Sequence, residues 1–266
     1  MNNDLTELLK EWPYEAGHII ARIVKTGEDE DVLQLRVDLG ILQMKLDGRP
    51  DGERPNGFES YLEFYEDQAA AHAESEDLGA PPEETTDYNQ PGERRVARFL
   101  TPDDSRLLRD EAVQYYHRYI ALLAVEDFDR VIRDTTRNLR LLDFCAAHAI
   151  SEPDRTALEQ FRPYVTMIRA RAAAGLALRD NEPKAALVAI DEGLEALRRV
   201  YEDHSPEQFE ASGEVRALRA MREALLPQLP VSQTSELNAR LAKAIEDENY
   251  ELAAILRDEI RQLKSD

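Results

Sequence analysis

The feature that most constrains the fold is a change in the spacing of apolar residues along the chain. Between residues 19 and 46 they recur at every second position, which is the period of a β-strand with one buried face. From residue 99 onward they recur at three- and four-residue intervals, which is typical of helices with one apolar face. The sequence therefore predicts a mainly α (α+β) protein with a small N-terminal β-hairpin element, a helical body and a C-terminal antiparallel two-helix hairpin.

The N-terminal element is predicted to contain two strands. The first covers residues 19–25, and the second begins at Val32. In the second strand the apolar residues occupy odd positions up to Ile41 and even positions from Leu42, and this phase slip next to Gly40 indicates a β-bulge. The other face of this strand carries six polar residues, which solvent exposure explains adequately but which could also form a site: Gln34, Arg36, Asp38, Gln43, Lys45 and Asp47.

Two polar, proline-containing segments divide the chain into domains. Residues 76–98 and 227–235 are predicted linkers. They separate a β-hairpin plus helix at 1–75, a helical domain at 99–226 and a helical hairpin at 236–266.

The segment that follows the second strand resembles a calcium loop only at its start. Asp47 and Asp51 precede Gly52, but Arg49 and Phe58 stand at the third and twelfth positions, where acidic ligands are needed. The segment is therefore predicted to be a loop shaped by its turn-forming residues.

The helical domain contains a helix–turn–helix pattern over residues 169–201. Small or apolar residues stand where such helices would pack: Ala174, Ala186, Ile190 and Gly193. The pattern resembles a tetratricopeptide hairpin, and a weaker copy has Phe128 and Val131 where Pro183 and Ala186 stand. The copies lie 55 residues apart, whereas that repeat has a period of about 34 residues. The domain is therefore only tetratricopeptide-like.

The charge of the chain bears on its partners. It has 54 acidic and 33 basic residues, a formal net charge of -21. Such a surface repels nucleic-acid phosphates and anionic lipids, so direct nucleic-acid binding and membrane binding are not expected.

No catalytic or metal-binding motif is recognisable in the sequence. The five histidines are dispersed, and no glycine-rich phosphate loop is present. The single cysteine, Cys145, lies in an apolar helical run without an activating base, so it is interpreted as a buried apolar residue. We therefore expect a non-enzyme without cofactor or metal. A cytoplasmic location is expected because a lone thiol forms no internal disulfide and the N-terminus lacks a signal-peptide pattern.

The spacing of apolar residues in the C-terminal segment predicts two short amphipathic helices, each with one apolar face. One face is formed by Leu237, Leu241, Ala244 and Ile245, and the other by Tyr250, Ala253, Leu256, Ile260 and Leu263. Residues 246–249 are the predicted turn, with Asn249 as the cap of the second helix. Ala253 and Ala254 are predicted to let the two helices approach closely.

The second helix carries a specific motif. In "YELAAILRDEI" the pattern aromatic-Glu-x-Ala-Ala-x-Leu-Arg-Asp-x-Ile is filled by Tyr250, Glu251, Ala253, Ala254, Leu256, Arg257, Asp258 and Ile260. Residues 236–263 thus resemble the UVR motif, a helical hairpin at the end of UvrB, within UvrC and in several bacterial regulatory proteins. The resemblance implies a hairpin that pairs with another copy or docks on a protein partner. The remainder resembles bacterial UVR-motif proteins of unassigned function that share "LQLRVDLGILQMKLDGRPDG", which implies a shared architecture but no activity.

The two variable positions of the motif, Leu252 and Ile255, are both apolar here, which indicates a second contact surface. Arg257 and Asp258 are interpreted as positioning groups. The predicted protein-binding residues are Leu237, Leu241, Ile245, Tyr250, Leu252, Ala253, Ala254, Ile255, Leu256, Arg257, Asp258, Ile260 and Leu263.

These observations favour a cytoplasmic adaptor that uses the hairpin to form a homodimer or to bind a UvrB/UvrC-type protein. An accessory role in nucleotide excision repair is one alternative. Another is a stress-response adaptor for a kinase or protease, although such proteins carry CxxC pairs that are missing here. The hairpin could also fold back onto residues 1–226, and an enzyme using the polar strand face is a further hypothesis.

Overall fold

The chain divides into two compact units, Met1–Arg222 and Glu223–Asp266. A computed structural model describes residues 5–77, 98–202, 204–228, 233–246 and 249–263. Within these residues the protein is mainly helical, with one small antiparallel sheet near the N-terminus, as the sequence predicts.

The sheet has three strands in the order β1-β2-β3, namely β1 (Ile20–Lys25), β2 (Asp31–Val37) and β3 (Gly40–Lys45). The helices up to residue 225 are α1 (Thr6–Glu11), α2 (Tyr61–Asp77), α3 (Pro102–Ala124), α4 (Phe128–His148), α5 (Glu152–Thr156), α6 (Arg162–Arg179), α7 (Pro183–Val200), α8 (Pro206–Ala211) and α9 (Gly213–Leu225). The C-terminal helices are α10 (Gln233–Glu246) and α11 (Tyr250–Leu263). Single 3₁₀ turns cover Pro55–Gly57, Glu159–Phe161 and Leu226–Gln228.

The predicted second strand is in fact two strands, because a two-residue turn joins β2 to β3, and the predicted β-bulge near Gly40 is wrong. Val37 pairs with Gly40 and Leu35 with Leu42, so odd-numbered residues of β2 lie opposite even-numbered residues of β3. Because paired residues share a face of the sheet, a two-residue loop produces the same phase slip as a bulge. Leu39, which the alternation assigned to the apolar face, lies in the turn and is 90% exposed.

The helical body consists of long helices that pack in chain order, α3 on α4, α4 on α6 and α6 on α7, with the short α5 between α4 and α6. The turns before α4 and α7 are built alike. Each contains a residue in the left-handed region, Glu126 with φ 58° and Asn181 with φ 60°. The next residue then donates its backbone N–H to the helix before it, Asp127 to the Leu122 carbonyl and Glu182 to the Ala177 carbonyl. The two turns thus repeat each other's hydrogen bonds at the 55-residue spacing of the sequence pattern.

The helix starts in this body have clear local causes. The Thr101 hydroxyl accepts from the Asp104 N–H, and the Asp104 carboxylate accepts from the Thr101 N–H, forming a capping box at the start of α3. Pro163 lies in the first turn of α6, where a missing backbone N–H has no cost. The segment before α6 is not one continuous helix, because α5 ends at Thr156 and a 3₁₀ turn covers Glu159–Phe161.

One apolar core of the first unit is formed by α2, α3 and α4 together with the segments that flank α3 and α4. Its buried members include Leu62, Leu108, Leu141 and Cys145. α3 also packs against β1 and β2, which connects the sheet to the helical body. The sheet and the helices are therefore parts of one compact unit.

The linkers drawn from the sequence coincide only partly with described residues. Most of the segment 76–98 lies outside them, as do residues 229–232 of the second linker. α10 begins at Gln233, three residues before the predicted start of the hairpin. The remaining domain boundaries stay predictions.

Candidate functional site

The C-terminal hairpin is formed by α10 and α11, which pack against each other. Asn249 caps α11, as predicted, because its side-chain oxygen accepts the backbone N–H of Leu252 at 3.1 Å. The Asn249 N–H donates to the Ala244 carbonyl at 2.8 Å, and its carbonyl accepts the Ala253 N–H at 3.0 Å. One asparagine thus connects the end of α10 to the start of α11. Residues 247 and 248 of the predicted turn lie outside the described residues.

The contact between the two helices is small. Ala244, Ala253 and Leu256 are buried together, and Leu241 packs against them while partly exposed. Ala253 and Ala244 carry only methyl groups, so the helix backbones can approach closely at this point. The predicted placement of these four residues is confirmed.

Other predicted members of the inter-helix contact lie elsewhere. Tyr250 is 69% exposed and Ile245 is 53% exposed, and Ala254 is also exposed. The stripe from Tyr250 to Leu263 is therefore wrong at its first residue. The physical reason is that Tyr250 is the first residue of α11 and precedes the turn in which Ala253 meets α10.

Leu252 and Ile255, which the sequence indicated as a second surface, are exposed to 39% and 61%. Together with Ile245 and Tyr250 they form a set of four exposed large apolar side chains, which we call the hairpin apolar set. Arg257 is also exposed. Four further residues predicted to bind a protein partner belong to α10 or α11, but their side chains lie outside the described part of the chain: Leu237, Asp258, Ile260 and Leu263.

Comparison with known families identifies this hairpin. Residues 232–266 match the UvrB/uvrC motif family, UVR. The C-terminal segment is therefore a UVR motif, the class of helical hairpin that its geometry and signature define, and its presence indicates a protein-interaction hairpin. No curated protein and no solved structure was found that matches this chain.

The polar strand residues proposed as an alternative site form contacts within the sheet. The Gln34 amide donates to the Gln43 oxygen at 2.9 Å, and the Arg22 Nε donates to the Gln34 oxygen at 2.9 Å. The Arg22 guanidinium lies 4.1 Å from the centre of the Trp12 ring. This chain of contacts runs across all three strands and joins them to the segment after α1.

Arg36 and Lys45 are likewise engaged. The Arg36 Nε donates to the Trp12 carbonyl at 2.8 Å and Nη1 donates to the Gly40 carbonyl at 3.0 Å. Lys45 forms an ion pair with Glu30. Among the described residues, these contacts do not gather the six polar side chains into one site.

Asp47 belongs to a loop that docks the sheet on the helices. In this docking loop, residues 45–52, Asp47 accepts from Arg130 at 3.1 and 3.2 Å and from Arg133 at 2.5 Å. The hydrogen bond from Arg130, opposed by burial and supported by Arg133, lowers the pKa of the Asp47 carboxyl below its ordinary value. Asp51 pairs with Arg49 at 3.1 Å. The two acids of the rejected calcium pattern are thus paired with arginines.

The docking loop also contacts a buried ionic network that the sequence analysis did not predict. Arg118 and Asp134 are each 1% exposed and form two hydrogen bonds, Nε to Oδ2 at 2.7 Å and Nη2 to Oδ1 at 2.9 Å. Arg118 Nη1 also donates to the carbonyls of Lys45 and Gly48 at 3.0 and 2.7 Å.

A second buried carboxylate, Glu111, lies on α3, the helix that carries Arg118. It accepts the backbone N–H groups of Tyr61 at 2.8 Å and Leu62 at 3.2 Å, at the start of α2, and it pairs with Arg137.

The sequence does contain a signal for these buried charges. Glu111 and Arg118 are seven residues, or about two turns, apart, and each stands next to a residue of the apolar stripe, Ala112 and Tyr119.

Cys145 is a free, buried thiol in the core, and burial raises its pKa to about 12. A thiol with such a pKa is protonated at neutral pH, which suits an apolar packing role. The described residues contain no group of three or more His, Cys, Asp or Glu side chains that could hold a metal ion. Across the same described ranges, no helix is both long and apolar enough to cross a membrane.

Proposed function

We propose that this chain is a non-enzymatic interaction protein whose UVR hairpin binds a second UVR-type hairpin, in another copy of this chain or in a different protein. The observation that carries the proposal is the hairpin apolar set, four large side chains exposed on a two-helix element. Two short helices bury little surface between themselves, and their stability in water is marginal. Pairing with another helical element supplies the missing burial.

The energetic argument rests on Leu252 and Ile255. Fully burying one large apolar side chain stabilises a complex by about 1.5–3 kcal/mol. Since both residues lie on α11, one partner helix placed along α11 could cover both. A cytoplasmic location is part of the proposal and is supported by the single free cysteine, which suits a reducing compartment.

The first experiment compares the full chain with the double variant Leu252→Gln/Ile255→Gln. Glutamine keeps the helix propensity while it removes the apolar surface. We expect the variant to weaken association by at least about tenfold, because two apolar side chains lose their burial. Sedimentation equilibrium measures self-association, and capture by purified UvrB or UvrC hairpins measures binding to another protein.

The matched control is Leu39→Gln, which changes an equally large apolar residue at the 90% exposed turn between β2 and β3. It should leave association unchanged. Equal association of the full chain, the double variant and a 1–230 truncation would contradict the proposal. If the hairpin docks on its own chain instead, the double variant would lower the thermal midpoint and leave the assembly state as it was.

A narrower role rests on the UVR match alone. An accessory function in nucleotide excision repair predicts that a deletion strain is sensitive to ultraviolet light and that UvrB or UvrC hairpins capture the chain. If the deletion strain survives ultraviolet light normally while the protein still self-associates, the repair role is contradicted and the general interaction role stands. A stress-response adaptor for a kinase or protease would likewise bind through the hairpin, but to a different protein.

A further inference from the structure

The first unit contains a cavity that the hairpin-based function does not use. Its volume is about 560 Å³, within the range of small-molecule sites. Its walls are formed by α3, α4, α6 and the segment between α5 and α6. One further lining residue comes from the N-terminal end of α9. Its lining is mostly apolar and aromatic and includes Val113, Tyr116, Tyr119, Leu142, Phe161 and Tyr164.

The aromatic rings in this cavity are arranged at angles to one another. The Tyr116 and Tyr119 ring centres are 5.6 Å apart with perpendicular planes, and the Tyr116 and Tyr164 centres are 6.3 Å apart at 54°. Rings at such angles direct different faces and edges into a shared space, and the faces carry the negative part of the ring quadrupole. Burial raises the pKa values of Tyr119 and Tyr164, so both remain neutral phenols at pH 7.

Glu214 is the one residue with a formal charge at pH 7 among the described residues that line the cavity. It lies in the first turn of α9, and its Oε2 accepts the Ser212 hydroxyl at 2.8 Å. His117 also lines the cavity, and burial lowers its pKa below the ordinary value, so it is neutral at pH 7. The positive charge of Arg171, which does not line the cavity, lowers the pKa of Tyr164 and so partly opposes the effect of burial. The lining therefore combines neutral aromatic rings with one carboxylate.

Both side-chain amides of the lining, Asn138 and Gln160, already form hydrogen bonds within the protein. Asn138 donates to the Ala112 carbonyl at 3.0 Å and accepts from Arg137 at 3.2 Å. A ligand is therefore met mainly by aromatic faces, phenol groups and the Glu214 carboxylate. Aromatic faces beside a carboxylate are the surroundings that attract an organic cation.

We propose that this cavity binds a small organic cation, an ammonium group on an apolar or aromatic body, with the ammonium held by Tyr116, Tyr164 and Glu214. The apolar body lies against Val113, Leu142 and Phe161. The net charge of -21 raises the local concentration of such a cation near the protein.

The test uses three probes that share a benzene ring and differ in charge: benzyltrimethylammonium, benzyl alcohol and benzoate. Binding to the isotope-labelled full chain is followed by NMR titration and by calorimetry. We expect benzyltrimethylammonium to bind most tightly, with chemical shift changes at Tyr116, Tyr164 and Glu214. Equal binding of the three probes, or no binding of the cation, would overturn the proposal.

Two variants locate the cation. Glu214→Gln keeps the size of the side chain and removes its charge, and we expect affinity for the cation to fall about fivefold with benzyl alcohol unaffected. Tyr116→Leu keeps an apolar side chain and removes the ring, with a similar expected loss. Glu192→Gln, at an exposed position of α7, is the control and should change nothing.

Each variant is compared with the wild type by circular dichroism, so that a folding defect is recognised. Unchanged affinity in both folded variants would refute the assignment. The Leu252→Gln/Ile255→Gln variant should bind the probe normally, because its substitutions lie outside the cavity lining. Failure of the hairpin proposal would therefore leave this result intact.

Discussion

Arg118 and Asp134 face each other from α3 and α4, and both side chains are almost completely buried. The Asp134 carboxylate accepts two hydrogen bonds from Arg118 and a third from Arg133 Nε at 2.9 Å. The remaining guanidinium nitrogen of Arg118, Nη1, donates to the docking loop. A buried ion pair of this kind contributes little net stability over an apolar pair, but removing one partner leaves an uncompensated charge in the interior. The pair is therefore a position where a small chemical change has a large effect.

We expect Asp134→Asn to lower the free energy of unfolding by about 3–5 kcal/mol, because it leaves the Arg118 guanidinium buried without its counter-charge. Urea denaturation followed by circular dichroism measures the change. Asp129→Asn on the same helix is the control, since Asp129 pairs with Arg179 at 3.0 Å on the exposed surface. A comparable loss in both variants would show that burial does not decide the effect.

The sequence contained both members of this pair, yet sequence reasoning did not find them. The three- and four-residue spacing of apolar residues predicts which face of a helix is buried, but it does not indicate which charged residues lie on that face. Arg118 contacts Lys45, 73 positions earlier in the chain. No local pattern reports a contact over that distance, because it depends on how the loop after β3 meets the helices.

At the scale of elements, local patterns predicted helix starts better than connections between strands. Asn249 caps its helix as expected, since a cap depends on residues that are neighbours in sequence. The phase slip near Gly40 was ambiguous, because a bulge and a two-residue turn shift the alternation equally. The exposed Leu39 shows which of the two occurs.

The α6–α7 hairpin makes a prediction of its own at Gly193. A Cβ at this position would overlap the Cβ of Ala170 and come within 3.2 Å of Leu218 Cδ1. Alanine normally favours a helix over glycine by up to about 1 kcal/mol. Here we expect Gly193→Ala to destabilise the protein by about 1–3 kcal/mol, because the helices must separate. Thermal and urea denaturation measure it.

Gly213→Ala serves as the matched comparison at the first residue of α9. No atom lies within 4 Å of a Cβ added there, and the backbone is not in the left-handed region. The same substitution should therefore stabilise the chain by about 0.4–1 kcal/mol, because alanine restricts the unfolded state. If both variants were stabilising, the close approach of α6 and α7 at Gly193 would be wrong.

At the scale of the whole molecule, the sequence predicted the order of its parts and the presence of the UVR hairpin. Each depends on a pattern within a short window, such as the signature around Ala253. The cavity around Tyr116 and the docking of the loop at Asp47 could not be predicted in this way. Both are assembled from helices and loops far apart in sequence, and only the packing of those elements brings them together.

The net charge of -21 makes a prediction for the molecule as a whole. Acidic groups held in a compact fold repel one another more strongly than in the expanded unfolded chain. Salt screens this repulsion, and it also weakens the exposed ion pairs, each of which contributes little. At pH 7 we expect the thermal midpoint to rise by about 2–5 °C between about 0.02 and 0.3 M NaCl, because screening of the net charge is the larger effect.

This salt effect should disappear or change sign when the net charge is zero, which separates it from general salt effects on solubility. Near the isoelectric point the net repulsion vanishes while ion pairs such as Arg130–Asp47 remain, so the same salt should leave the midpoint unchanged or lower it. Scanning calorimetry at the two pH values measures both slopes. A midpoint that falls with salt already at pH 7 would mean that the ion pairs of the surface outweigh the repulsion among its 54 acidic residues.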